Sequence, residues 1–249
     1  MPIREQNTFL TMDRYWMIYA NNLSKNTKKM IKIIDSLYLT EKGCSIKKRN
    51  YHPVHIRQGD IDGACAVYSL MMNLLILKTI SRVQIEDVYD NIKKSPETEK
   101  LFHEFFDKHG MIRGGFYFDR LTKLVNRVYG EVVTAQYSNI NDNFRETDFW
   151  ELVKTAIDDN IPIILGMDFK TGGGHAVLAI GYEYDEDGIF NVFCLDPGYE
   201  CNPTSYWNMV IALNLFSGKF KHQCLTNNSY NCPAVYISDA ILITKNKKK

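Results

Sequence analysis

The sequence predicts an α+β fold, on three observations. From Ala64 to Leu77 the chain is apolar almost without break, Ser69 and Asn73 being the polar exceptions, which is the pattern of a helix buried on every side. Amphipathic helical stretches then continue as far as Asn160. Beyond it the apolar runs are short and punctuated by turns, above all Asp185-Glu186-Asp187-Gly188, whose Asp-Gly ending marks a hairpin. Helices first and strands after give a helical half, with a central helix carrying Cys65, packed against a mainly antiparallel sheet, and a cleft between the two.

Taken in order, residues 1–50 read as an N-terminal helical extension and residues 51–249 as the main domain. Helices are expected around Thr11–Asn21 and Thr27–Leu39, the second because Met30, Ile31, Ile33, Ile34 and Leu37 recur at helical spacing between lysines. Glu41–Arg57 reads as a loop in which His52 and His55 are surface residues flanking Pro53. After the Cys65 helix, Val83–Lys93 reads as helical. A further helix starts at Ser95-Pro96-Glu97 and stops near Gly110, proline just inside a start and an acidic first turn being start signals. Its Leu101, Phe102, Phe105 and Phe106 form a core stripe. Phe118–Tyr129 is a helix closed by Gly130, Glu131–Tyr137 a strand, and Thr147–Asn160 a helix with Phe149, Leu152, Val153, Ala156 and Ile157 inward. Strands are expected at Ile161–Phe169, on both sides of the hairpin, at Tyr206–Leu215 and at Ala234–Thr244.

Composition narrows the function classes. A chain of 249 residues with 45% hydrophobic content buries a full core. Thirty Lys and Arg against 29 Asp and Glu leave a net charge of +1, so no global field draws it to nucleic acid or to an anionic membrane. The Lys245–Lys249 end reads as a solvated terminus. Neither an apolar leader at Met1–Gln6 nor a run long enough for a membrane span is present, and a cytoplasmic location is expected. The six cysteines form no C-x-x-C pair and the histidines are scattered, so neither a metal nor another cofactor is expected, and the thiols are read as reduced. Cys194, inside an apolar strand, reads as an inert core residue.

The chemistry concentrates in two stretches. Gln58-Gly59-Asp60-Ile61-Asp62-Gly63 is a polar loop that turns into the buried helix at Cys65. Free N–H groups and the positive dipole end there favour a thiolate, which makes Cys65 a candidate nucleophile if a base reaches it. Asp60 and Asp62 read as loop or substrate-selecting residues. Gly172-Gly173-Gly174-His175 opens the first hairpin strand, and Asp196-Pro197 ends the second. With Tyr184 opposite Ile189, Asp196 falls opposite Val177, diagonal to His175 and within side-chain reach. Gly172, Gly173 and Gly174 read as a cleft wall without side chains, open to a substrate backbone. A phosphate cradle fits poorly, because a strand and not a helix follows.

A Gln ahead of a Cys at a helix start, a Gly-His pair opening a strand and an Asp-Pro pair ending the next resemble the papain-like cysteine peptidases, most closely their C39-like branch. Gln58, Cys65, Gly174-His175 and Asp196-Pro197 occupy those positions. Gln58 lies one residue further from the cysteine than is usual in that family, and Ala66 stands where a Gly is common. The resemblance implies a papain-like cysteine protease fold and a peptide or protein substrate, with a small residue such as Gly before the scissile bond. It implies catalysis by Cys65, His175 and Asp196, with Gln58 at the oxyanion hole. Three function classes remain at this point: a peptidase, an acyltransferase of the transglutaminase type using the same three residues, and a binding module that has lost turnover.

Overall fold

The computed structural model describes residues 28–47, 50–59, 63–86, 92–108, 115–140, 144–226 and 232–247. The Thr11–Asn21 reading and the loop residues Asp60 and Asp62 lie outside them. Where a helix was expected over Thr27–Leu39, the chain forms strands β1 (Met30–Ile33) and β2 (Leu37–Thr40), and the expected loop holds β3 (Gly43–Lys47) and β4 (Tyr51–Pro53). The helical spacing is the coincidence of two short strands separated by an Asp35-Ser36 turn, a breaker set among β-branched isoleucines. Asp35 N–H caps that turn on Asn160 Oδ1 at 2.7 Å. β2, β3 and β4 make a small separate sheet that runs across residue 50.

Helices α1 (Cys65–Ile76), α2 (Arg82–Glu86), α3 (Pro96–Phe102), α4 (Phe118–Tyr129) and α5 (Glu146–Asp158) follow, with β5 (Val133–Asn139) between the last two. Ser95 caps α3 by accepting Thr98 N–H at 3.2 Å. The helix then widens into a π turn over His103–Lys108, where buried Glu104 takes Arg127 at 2.7 Å and Lys108 at 3.1 Å. α1 is buried over all its residues except Cys65 and Tyr68. Its polar exceptions are both spent on the sheet side: Ser69 Oγ donates to Ala176 O at 3.2 Å and Asn73 Nδ2 to Pro162 O at 2.9 Å. The first bond fixes α1 along the strand that carries His175, and the second ties it to the chain just ahead of the neighbouring strand. No helix among the described residues is long and apolar enough to cross a membrane.

The strands β6 (Ile163–Phe169), β7 (Gly174–Asp185), β8 (Gly188–Leu195), β9 (Met209–Ala212), β10 (His222–Thr226) and β11 (Ala234–Lys245) pair antiparallel in the order β7-β6-β11-β10-β9-β8. β8 pairs again with β7, so the ring closes, with β1 and β5 attached outside it on β7 and β11. The β7–β8 hairpin has Tyr184 opposite Ile189 and, at its far end, Leu178 opposite Leu195. Between them the register slips twice. Phe190 is the extra residue on β8 and Ile180 the extra residue on β7, and the two slips cancel.

Gly181, just past the second slip, is where β1 meets β7. A Cβ there would lie 2.6 Å from Lys32 O and 3.2 Å from the Ile33 side chain. Gly181→Ala is expected to push β1 off and to lower unfolding stability by about 1–3 kcal/mol. The check is urea denaturation; an unchanged midpoint would mean that β1 contributes little.

Candidate active site

Cys65 is the first residue of α1, after Ala64 at the N-cap. The backbone N–H groups of Ala66, in the first helical turn, and of Ala176, on β7, face its sulfur and favour its charged form. The same sulfur contacts the imidazole of His175. On the other side of that ring, His175 Nε2–H donates to Asp196 Oδ1 at 2.6 Å, which leaves Nδ1 for the thiol. Asp196 is fully buried and the His175 side chain is 14% exposed. Gly198 N–H also donates to Asp196 Oδ1, at 2.7 Å. A side chain at residue 198 would crowd this bond, since a Cβ would stand 3.1 Å from Oδ1 and 3.6 Å from the His175 ring. Phe169 stacks on the ring at 6.3 Å between centroids.

The electrostatics separate this cysteine from the others. All six thiols are free. Burial pushes Cys44 up to about 12 and Cys201 up to about 11. Burial acts the same way on Cys65, but the hydrogen bond and charge of His175, with the two N–H groups, bring it below the ordinary thiol value. His175 moves the opposite way. Burial disfavours its cation, yet the bonds and charges of Asp196 and Cys65 outweigh that and raise it to about 10. The two displacements run in the directions that favour a thiolate–imidazolium pair.

A cleft of about 440 Å³ opens over this pair. Gln58, Gly63, Phe116, Tyr117, Asp168, Gly174 and Asp239 are among the residues that line it. Burial and the nearby Asp168 charge raise the Asp239 carboxyl. Gly166 forms part of the floor, where a Cβ would meet the Phe118 ring at 3.1 Å and Asp239 at 3.2 Å. Of the three glycines read as a wall, Gly174 lines the cleft. Gly172 and Gly173 instead form the exposed turn between β6 and β7, at φ +94 and +85, with nothing within 4 Å of where a Cβ would stand.

The family model for the Peptidase C39 like family matches residues 48–224. The chain belongs to that family. Membership supports a cysteine peptidase-like function, with protein or peptide as the implied substrate. The matched region contains Gln58, Cys65, His175 and Asp196. No match is found among curated proteins.

Two residues at this site carried no sequence signal. His55, read as a surface-loop histidine, is partly buried behind Asp196, and its Nε2 lies 2.8 Å from Asp196 O. Asn208, in a stretch read simply as strand, is buried just ahead of β9 and bonds to Asp196 on both backbone atoms. His55 acts across 141 residues and Asn208 across 12, through backbone groups that no local pattern records.

Proposed function

We propose that the protein is a cysteine peptidase of papain-like fold that hydrolyses a peptide or isopeptide bond. Cys65 is the nucleophile, His175 the proton carrier, Asp196 the orienting acid and Gln58 an oxyanion donor, within a catalytic unit of residues 51–249. The observation that carries this reading is the unbroken chain of contacts Cys65–His175–Asp196, with thiol and imidazole displaced in opposite directions. Thiolate Cys65 attacks the carbonyl carbon. The Gln58 amide, which lines the cleft, and the Cys65 N–H donate to the developing oxyanion. His175 gives its proton to the leaving amine as the C–N bond breaks, leaving an acyl-enzyme and neutral imidazole. Water then attacks the thioester, His175 takes its proton, and carboxylic acid and thiolate are restored.

The test is alkylation of Cys65 by iodoacetamide from pH 4 to 9 with peptide mapping, in the wild type and in His175→Ala. Cys65 is expected to label well below a free thiol's ~8.5, faster than Cys201, and His175→Ala is expected to remove that advantage. Equal labelling of Cys65 and Cys201 in the wild type would end the ion-pair reading. Acyl transfer, the other reaction open to this residue set, is separated by adding a primary amine during peptide turnover. Hydrolysis predicts free carboxylate as the main product, and an acyltransferase predicts amide.

A further inference from the structure

The carboxylate of Asp196 is engaged through one oxygen only. Oδ1 takes His175 Nε2–H and Gly198 N–H, while Oδ2 is buried without a hydrogen bond among the described groups. Its orientation is therefore set from the backbone. Asn208 N–H donates to Cys194 O at 3.2 Å, the last backbone rung between β8 and β9. Beyond it the Asn208 side chain takes over as a substitute peptide: Oδ1 accepts Asp196 N–H at 2.6 Å and Nδ2 donates to Asp196 O at 2.8 Å. The second Nδ2 hydrogen goes to Tyr199 O, also at 2.8 Å.

Both amide hydrogens are thus used, so the 3.2 Å approach of Asn208 Nδ2 to His55 Nε2 is not a third donation. His55 Nε2 must carry its own proton and donate it to Asp196 O at 2.8 Å. His55 is held in turn by Arg82, whose Nη1 donates to His55 O at 2.6 Å. Three residues further along the same segment, Gln58 N–H donates to Pro197 O at 2.9 Å. Arg57 adds an ion pair to Glu200 at 2.7 Å.

We propose that His55 is a positioning residue: its Nε2–H clamps the segment that carries Gln58 to the backbone of Asp196, and so sets the acid and the cleft-lining amide relative to each other. The proposal rests on the reading of Cys65, His175 and Asp196 as the reacting set. His55 touches neither thiol nor cleft, and it acts through Asp196. Burial lowers its basicity, against the pull of the Asp196 carbonyl and charge, so the clamp works with neutral imidazole.

The test compares His55→Gln, His55→Asn and His55→Leu in the full chain. Glutamine places an N–H near the position of Nε2. Asparagine keeps the polarity but is too short to reach, which guards against a leucine variant that fails to fold. The readouts are the pH profile of Cys65 alkylation, kcat and KM on a cleaved peptide, and thermal unfolding. The asparagine and leucine variants are expected to lose about 10- to 100-fold in kcat with KM little changed. Their acid-side onset of Cys65 labelling should move to higher pH, and glutamine should restore most of both. An asparagine variant that matches the wild type in kcat and profile overturns the proposal, as does a folded glutamine variant no better than asparagine. A wild-type profile without early labelling of Cys65 overturns the ion-pair reading and this proposal with it. A normal wild-type profile with indifferent His55 variants overturns the clamp alone.

Discussion

Cys65→Ala is expected to abolish peptide cleavage, a fall on the order of 10⁴-fold or more in kcat, with the unfolding transition almost unmoved. Cys65 sits at the start of α1, partly exposed to the cleft, and only its sulfur enters the contacts with His175. Alanine leaves the helix and removes the nucleophile. Cys65→Ser is the sharper variant, because it keeps a hydrogen-bonding atom beside His175. An alcohol is not ionised by imidazole in the resting enzyme, so serine is expected to be nearly as inactive as alanine. A serine variant within tenfold of the wild type would make the thiolate irrelevant and move the search for the nucleophile elsewhere. The measurement is kcat/KM on one peptide, alongside calorimetry to show that all three proteins are folded.

The second large effect is expected at Asp196, where asparagine and alanine separate charge from geometry. Asparagine can present its carbonyl where Oδ1 stands and still accept from His175 and Gly198, so the ring stays in place. Without the negative charge, the imidazolium loses its main support. His175 should then titrate below its present value of about 10, and Cys65, less favoured as thiolate, above its present one. The window between the two narrows from both sides. The alkaline limb of the activity profile moves down in pH, the acid limb moves up, and KM stays nearly constant. Alanine also frees the ring and leaves the partly buried Gly198 N–H without its acceptor, so a further loss of about 10²-fold and a lower melting temperature are expected. An asparagine variant with an unchanged pH profile would show that Asp196 orients but does not stabilise charge.

Much of this site could be read from residue order because its determinants are local. Val177 and His175 share a strand face, the Asp-Gly turn pairs Tyr184 with Ile189, and the apolar run after Cys65 admits only a buried helix. The hairpin alone brings His175 and Asp196 together. The parts that escaped depend on distant partners. β1 is a strand because Gly181 lets it approach β7, and nothing within Met30–Ile33 announces this over helical spacing. His55 gains its place through a carbonyl 141 residues away, and Asn208 by standing in for a peptide group. The glycine triplet was ambiguous for another reason. Flexibility suits a turn and a cleft wall equally, and the chain uses Gly172 and Gly173 for the first and Gly174 for the second.

The two slips in the β7–β8 hairpin bear on how this gene can change. Loss of Phe190 alone would flatten its own bulge and keep the pairs on both sides of it, Tyr184 with Ile189 and Glu183 with Asn191, as they are. Loss of Ile180 alone would do the same on the facing strand, keeping Ala179 with Cys194 and Gly181 with Phe193. Each slip is thus a self-contained insertion, and neither deletion needs the other as a suppressor. Lineages can therefore change either arm of this hairpin by one residue at these two points without turning Asp196 away from His175, and the tip, roughly 25 Å of strand away, is free to vary with them.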